Sequence, residues 1–201
     1  MVKTNYNVVM KQQLSNLKGK PKLLLHVCCS PCSSGVLPRL KEFFDITLFY
    51  YNPNTYPESE YKLRAEQFAK LSNLPLIVCD YNHKEFLNKI KGDENIPEGG
   101  LRCQKCIRLR MLKSFEYARD FGYDYVTTTL SISPHKDADF INLCGKQMEE
   151  DFGVKYLYAD FKKENGFLNS INESNRFNLY RQEYCGCEFS LGEQVGSDGR
   201  E

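Results

Sequence analysis

The chain has 201 residues, of which 27 are lysine or arginine and 26 are aspartate or glutamate, giving a formal net charge of +1. A chain of this length predicts one domain with a substantial core. The balanced charge excludes a global field that would attract nucleic acid or membrane, so any nucleic-acid surface has to be local. The sequence has no run of about eighteen apolar residues, which excludes a membrane-spanning helix.

The N-terminal segment, residues 1–22, carries five lysines and no acidic residue. It lacks the apolar stretch of a signal peptide. We therefore expect a cytoplasmic protein with a basic N-terminal extension, a single domain over residues 23–191 and a disordered tail at 192–201.

Short apolar or β-branched runs alternate with helical patterns along the domain. The runs predict five strands, at 23–27, 46–51, 74–79, 125–130 and 154–160. Helices are predicted at about 33–44, 57–71, 81–91, 101–121 and 137–151, whereas the polar segment 164–177 is ambiguous. This alternation indicates an α/β fold, a Rossmann-like parallel sheet with helices on both faces. In that topology the loops after the first and fourth strands face one pocket.

Cysteine is the most informative residue type, with nine in a chain that shows no secretory signal. Seven of them fall in three short clusters: Cys28, Cys29, Cys32, Cys103, Cys106, Cys185 and Cys187. An odd total at CC, CxxC and CxC spacings in a reducing compartment favours metal ligation over a disulfide framework. The other two, Cys79 and Cys144, fit apolar patterns and are predicted to be core residues.

The spacing of the clustered thiols limits what they can hold. Neighbouring side chains of a strand point to opposite faces, so either the strand has ended before Cys28 and Cys29 or the two thiols serve different centres. Cys103 and Cys106 converge on the first turn of a predicted helix, whose dipole stabilises thiolate.

The number of thiols favours iron–sulfur over zinc. A cubane iron–sulfur cluster takes four thiolates and leaves three of the seven, enough for a metal site with an open position. A structural zinc would leave three cysteines unexplained, and a thioredoxin-like pair needs only one CxxC.

Two further features concern basic residues and a histidine. The helix predicted at 101–121 begins with five basic residues and no intervening acid: Arg102, Lys105, Arg108, Arg110 and Lys113. They form either a solvated helix side or a surface for phosphate beside the thiols. His26 lies in the first predicted strand and is expected to be structural rather than a ligand.

Five sequence blocks resemble one enzyme family. They are HVCCSPCSSG, YYNPNTYPESEYKLR, LRCQKCIRLR, TTTLSISPHK and YRQEYCGCEFS, in this order between residues 26 and 190. Together they closely resemble the QueH-type epoxyqueuosine reductases, which are cobalamin-independent. The resemblance implies a Rossmann-like bacterial enzyme of the cytoplasm that performs the last step of queuosine synthesis. It would remove the epoxide oxygen of epoxyqueuosine at the wobble position of tRNA, giving queuosine and water.

The resemblance also implies cofactors, ligands and partners. A [4Fe–4S] cluster lies beside a second, mononuclear metal, expected to be iron, and the seven clustered cysteines are the candidate ligands. Cys32 is assigned to the mononuclear centre, because aspartate stands at its position in some members and replaces a thiolate more readily there than in a cubane. The implied partners are tRNA carrying epoxyqueuosine and an unidentified electron donor, with no membrane.

Deoxygenation of an epoxide needs two electrons, a group that polarises the oxygen and a proton donor. An open metal site that includes Cys32 polarises the oxygen, and Tyr51, Asp80 and His135 are candidate proton donors. Candidate contacts to tRNA phosphate are Arg102, Lys105, Arg108, Lys136 and Arg181. Two other classes stay open: a zinc-stabilised RNA-binding module that uses the same thiols structurally, and a thiol-based tRNA sulfur-transfer enzyme.

Overall fold

A parallel sheet forms the centre of the computed structural model, which describes residues 4–191; the predicted tail at 192–201 lies outside them. The five strands are β1 (Lys22–His26), β2 (Asp45–Tyr50), β3 (Leu76–Val78), β4 (Tyr125–Thr128) and β5 (Lys155–Tyr156). Their order across the sheet is β3-β2-β1-β4-β5, and all four neighbouring pairs are parallel. The strand order reverses between β1 and β4, which is the arrangement of a doubly wound sheet. The predicted Rossmann-like α/β fold is confirmed.

Helices cover both faces of the sheet. In the described residues they are α1 (Tyr6–Ser15), α2 (Ser30–Leu40), α3 (Glu58–Glu66), α4 (Phe68–Leu71), α5 (His83–Ile90), α6 (Leu101–Asp120), α7 (Ala138–Phe152) and α8 (Gly166–Arg176). Alternate residues of β1 enter opposite layers, as the pleat of a strand requires. Leu24 packs with Phe115 and Ile141 of α6 and α7, whereas Leu23 and Leu25 pack in the layer that includes α1 and α2.

The N-terminal segment is folded where the sequence predicted an extension. Asn5 caps α1 by accepting hydrogen bonds from the backbone N–H groups of Asn7 and Val8. Met10 and Leu14 on this helix are buried in the same layer as β1. Residues 6–15 are therefore part of the folded body, because one narrow apolar stripe suffices to attach a short helix to a core.

Three of the predicted strands are shorter in the structure: β4 has four residues where six were predicted, and the two strands at the sheet edges are shortened most. β3 has three residues and β5 has two, where six and seven were predicted. The ambiguous segment 164–177 contains helix α8. After β4 the chain turns into a single 3-10 turn, Thr129–Ile132, because the Thr128 hydroxyl accepts a hydrogen bond from the Leu130 N–H (3.2 Å). No helix among residues 4–191 is both long and apolar enough to cross a lipid bilayer.

Candidate metal centres

The first group of thiols lies directly after β1. It consists of Cys28, Cys29 and Cys32 and is called the triad below; its three sulfur atoms lie within 4.8 Å of one another. β1 ends at His26, and Cys29 is the N-cap of α2, where its sulfur accepts a hydrogen bond from the Cys32 N–H (3.5 Å). Because the strand has ended, adjacent thiols reach the same side, and the Cys28 and Cys29 sulfurs are 3.8 Å apart.

That separation is suited to one metal ion. Thiolates bound at about 2.3 Å in a tetrahedral site are about 3.8 Å from each other. Of the two alternatives left open by the sequence, the structure therefore supports the one in which Cys28 and Cys29 share a centre. Three thiolates leave a fourth, open position, which is the arrangement of a catalytic rather than a structural site.

The second group consists of Cys103, Cys106, Cys185 and Cys187 and is called the tetrad below. The first two lie at the start of α6, as predicted, and the last two belong to a tight turn around Gly186, whose φ of +119° favours glycine. All four line one small cavity. In the part of the chain described, only the triad has three sulfurs close enough for a single ion, so the tetrad suits a larger group.

Buried cations surround both groups. Arg110 is 3% exposed and lies between them, lining the tetrad cavity and the cleft next to the triad. Lys136 Nζ donates to Cys185 Sγ (3.0 Å) and pairs with Glu98 (3.3 Å). Burial alone would lower the pKa of Lys136, but the neighbouring Cys185 sulfur outweighs it and raises that pKa. The ammonium group therefore stays charged beside the sulfur.

Arg64 of α3 contributes a third buried cation. It pairs with Glu60 (2.7 Å), and its Nη1 donates to the Cys185 carbonyl (3.4 Å). Its Nη2 is buried without a hydrogen-bond partner, which indicates that an anionic group belongs beside it. In the sequence, Glu60 and Arg64 have the i,i+4 spacing that is typical of an ion pair on the surface of a helix. No sequence signal could therefore have identified Arg64 as a residue of the site.

Hydrogen bonds make one thiol of the triad acidic. The Cys28 and Cys32 thiols donate to Cys29, and the Gln182 side-chain N–H also donates to it (3.1 Å). These bonds hold the pKa of Cys29 well below its ordinary value, despite complete burial. In the tetrad, burial raises the pKa of Cys106 to about 11, opposed by Arg110. Metal binding at the tetrad must therefore release protons.

A cleft of about 350 Å³ opens next to both groups. Its walls include Cys28 and Cys32 of the triad, the loop at 133–136 and the segment at 181–185, which carries Cys185. The volume lies within the range of small-molecule sites, roughly 300–1,000 Å³. The prediction that the loops after the first and fourth strands face one pocket is confirmed.

The structure separates the three predicted proton donors. His135 is exposed and lines the cleft. Tyr51 is 3% exposed within the core, and its hydroxyl has no hydrogen-bond partner. Asp80 is exposed beyond edge strand β3 and does not line the cleft. Only His135 is positioned to face a bound molecule.

The five predicted phosphate contacts do not form one surface. Arg181 lines the cleft at its exposed rim, and Lys136 also lines it but is held by Cys185. Arg102 is 3% exposed, with its guanidinium over the Phe189 ring and a hydrogen bond to the Glu94 carbonyl (2.8 Å). Because it is buried, Arg102 is not available to phosphate at the surface.

The two remaining predicted phosphate contacts are on the outer side of α6. Lys105 pairs with Asp93, and Arg108 is exposed. The run of basic residues on α6 therefore divides between a buried side, with Arg102 and Arg110, and a solvated side.

The remaining predicted residues are structural. His26 is fully buried: its Nε2–H donates to the Tyr51 carbonyl (3.1 Å), and its Nδ1 accepts from the Thr128 hydroxyl (2.8 Å). Cys144 is 1% exposed in the core, and Cys79 is partly buried against it. These assignments confirm the predictions from sequence.

Comparison with known proteins gives one consistent result. The model of the family described as epoxyqueuosine reductase QueH matches residues 23–193. Epoxyqueuosine reductase QueH of Streptococcus pyogenes serotype M1 is 39% identical over 201 residues, covering 94% of this chain and 78% of that protein. The enzyme of the same name from Haemophilus influenzae is 40% identical over 187 residues, with 90% and 76% covered. That of Thermotoga maritima is 35% identical over 178 residues, with 86% and 91% covered.

Proposed function

Because this chain belongs to the epoxyqueuosine reductase QueH family, we propose that it removes the epoxide oxygen of epoxyqueuosine in tRNA. The oxidoreductase reaction consumes two electrons and two protons: both carbon–oxygen bonds of the epoxide break, a carbon–carbon double bond forms, and the oxygen leaves as water. One observation carries the proposal most directly. Seven thiols divide into a group of three and a group of four that lie beside the same cleft.

The donor set fits two metal centres. We assign the tetrad to a [4Fe–4S] cluster, which takes four thiolates, and the triad, with Cys32, to a mononuclear metal, most simply iron. The charges agree with this assignment, because Arg110 and the unpartnered Nη2 of Arg64 are buried cationic groups that need anions beside them. When bound, the [4Fe–4S] cluster would supply single electrons, and the mononuclear metal would act as a Lewis acid toward the epoxide oxygen.

The protein's own residues bind the substrate and donate a proton to it. The cleft receives the modified base, and Arg181 at its rim contacts a phosphate of the tRNA. His135 is the proton donor to the departing oxygen, since it alone of the three candidates lines the cleft. The electrons come from an external one-electron donor. A substrate of this kind places the reaction in the cytoplasm.

The decisive experiment uses protein purified without oxygen and compares three cysteine-to-serine variants. C32S is expected to lose conversion of epoxyqueuosine tRNA but to keep most of the cluster absorbance, because Cys32 belongs to the triad. C106S is expected to lose both. C144S removes a buried sulfur from the core and should keep both.

Each contrary result has a distinct meaning. Bleaching in C32S, or an intact cluster in C106S, would contradict the division of the thiols. A colourless wild-type protein that remains active after iron removal would contradict the iron-dependent mechanism, and iron-loaded protein that leaves epoxyqueuosine tRNA unchanged in the presence of a chemical reductant would contradict the function itself. Stoichiometric zinc with unchanged tRNA nucleosides would favour the zinc-stabilised RNA-binding module.

A further inference from the structure

Arg110 connects the two groups of thiols through a hydrogen-bonded path. Its Nε–H donates to the carbonyl of Cys106 (3.4 Å), and its Nη1–H donates to Asn52 Oδ1 (3.4 Å). The Asn52 amide in turn donates to the carbonyl of Val27 (2.9 Å), the residue immediately before Cys28. The path therefore runs from the tetrad, on α6, to the turn that carries the triad.

The charge of Arg110 is compensated in an unusual way. Within residues 4–191 no carboxylate lies at ion-pair distance from it, although the side chain is almost fully buried. An isolated buried cation is costly. Burial acts to lower the pKa of Arg110, but the surrounding sulfur groups of Cys106, Cys185, Cys28 and Cys103 outweigh burial and raise that pKa. Cysteines of both groups line the cavities that Arg110 lines, and as metal ligands they would carry the negative charge that compensates this guanidinium.

We propose that Arg110 is a positioning residue shared by the two metal centres, balancing the negative charge of both and raising the reduction potential of each. A fixed cation stabilises the more negative, reduced form of a nearby centre, and net charge and hydrogen bonding set the potentials of iron–sulfur sites. This inference rests on the proposed function, which supplies the two centres.

The test measures midpoint potentials in an anoxic redox titration, followed by visible absorption and electron spin resonance. R110M removes the charge and is expected to lower the potential of both centres. R110K retains the charge and should remain near the wild type. R119M is the matched control, since Arg119 lies on the same helix but is exposed and paired with Asp120; it should leave both potentials unchanged.

The potentials and metal contents of the variants decide whether Arg110 has this shared role. Unchanged potentials in R110M, or a shift at only one centre, would overturn the shared role while leaving the proposed function intact. Loss of metal from R110M but not from R110K would support a charge requirement, whereas loss from both would assign Arg110 to packing alone and overturn the inference. A wild-type protein that converts the tRNA without iron would overturn the assignment of the two iron centres, and the inference with it, whereas iron-loaded protein that cannot convert the tRNA would overturn the proposed function.

Discussion

His26 shows how burial fixes the charge of a side chain next to the site. Burial, and then the nearby charge of Arg110, lower its pKa to about 4. Its two ring nitrogens already have partners in the neutral form, with Nε2 donating to the Tyr51 carbonyl and Nδ1 accepting from Thr128. The imidazole therefore stays neutral at physiological pH and supports the end of β1 instead of binding metal or protons.

This shift predicts a pH dependence of stability. An unfolded chain protonates histidine near pH 6.5, but the folded protein does so only near pH 4, so the unfolded state binds more protons between these values. Stability should therefore fall as the pH decreases from 6.5 to 4, by about 3 kcal/mol for this one group. Because H26Q cannot titrate, the difference in unfolding free energy between wild type and H26Q should shrink by this amount from pH 7 to pH 4. A difference that is constant with pH would show that His26 titrates normally.

Helix α1 stabilises the open edge of the sheet through one side chain. The Gln13 amide N–H donates to the carbonyl of Tyr156 (2.9 Å), and its oxygen accepts from the N–H of Tyr158 (2.9 Å). Tyr156 is the last residue of edge strand β5. The side chain thus provides both hydrogen bonds that a neighbouring strand would otherwise make.

Replacing this side chain should weaken the edge. Q13A is expected to reduce the free energy of unfolding by about 1–3 kcal/mol, because it leaves a carbonyl and an N–H without partners. Chemical denaturation measures the change. Q12A is the matched control, since the preceding glutamine is exposed and its loss should cost less than about 0.5 kcal/mol. Equal effects of the two variants would mean that Gln13 acts only through helix propensity.

The sequence did not predict helices α1 and α8, which bury few apolar residues, or the short length of β5. In α8 the buried residues include Ser170 and Ser174, whose hydroxyls donate to carbonyls of their own helix. Serines of this kind pack like small apolar residues but look polar in a hydropathy pattern. Helix α1 buries only a few residues of a polar sequence, and β5 is a two-residue edge strand whose outer hydrogen bonds are made by Gln13 instead of another strand. Central strands such as β1 were predictable because burial on both faces requires a continuous apolar run.

The metal centres divide in the same way between predictable and unpredictable features. Topology predicted that the turn carrying Cys28 and the loop at 131–136 meet, because strand ends of a parallel sheet share one edge. The division of the thiols into triad and tetrad did not follow from topology, because it depends on where β1 ends and on the turn around Gly186. Arg64 and Arg110 were also out of reach as site residues, since burial of a charged helix residue is decided by packing from elements distant in sequence.

At the scale of the whole molecule, we expect the proposed metal centres to hold the C-terminal segment in place. In the described chain, four hydrogen bonds to other elements attach the turn at 184–187: Tyr56 N–H to the Gly186 carbonyl, Tyr184 hydroxyl to the Tyr56 carbonyl, Arg64 to the Cys185 carbonyl, and Lys136 Nζ to Cys185 Sγ. At a net 0.5–1.5 kcal/mol each, such bonds contribute roughly 2–6 kcal/mol. Ligation of Cys185 and Cys187 would stabilise the turn far more, because metal binding to thiolates is coupled to folding.

Metal removal should therefore loosen this segment before it affects the sheet. After anoxic chelation, hydrogen exchange measured by mass spectrometry is expected to rise at least tenfold in residues 180–190, with little change in β1 and β4. The C185S/C187S double variant should show the same local increase without chelator, because it removes the same two ligands. Protection that is unchanged would mean that protein contacts alone hold the turn, and a uniform rise across the sheet would mean that the metals support the entire fold. A rise in hydrogen exchange confined to residues 180–190 would therefore show that the C-terminal segment depends on metal ligation, whereas the sheet is stable by its own packing.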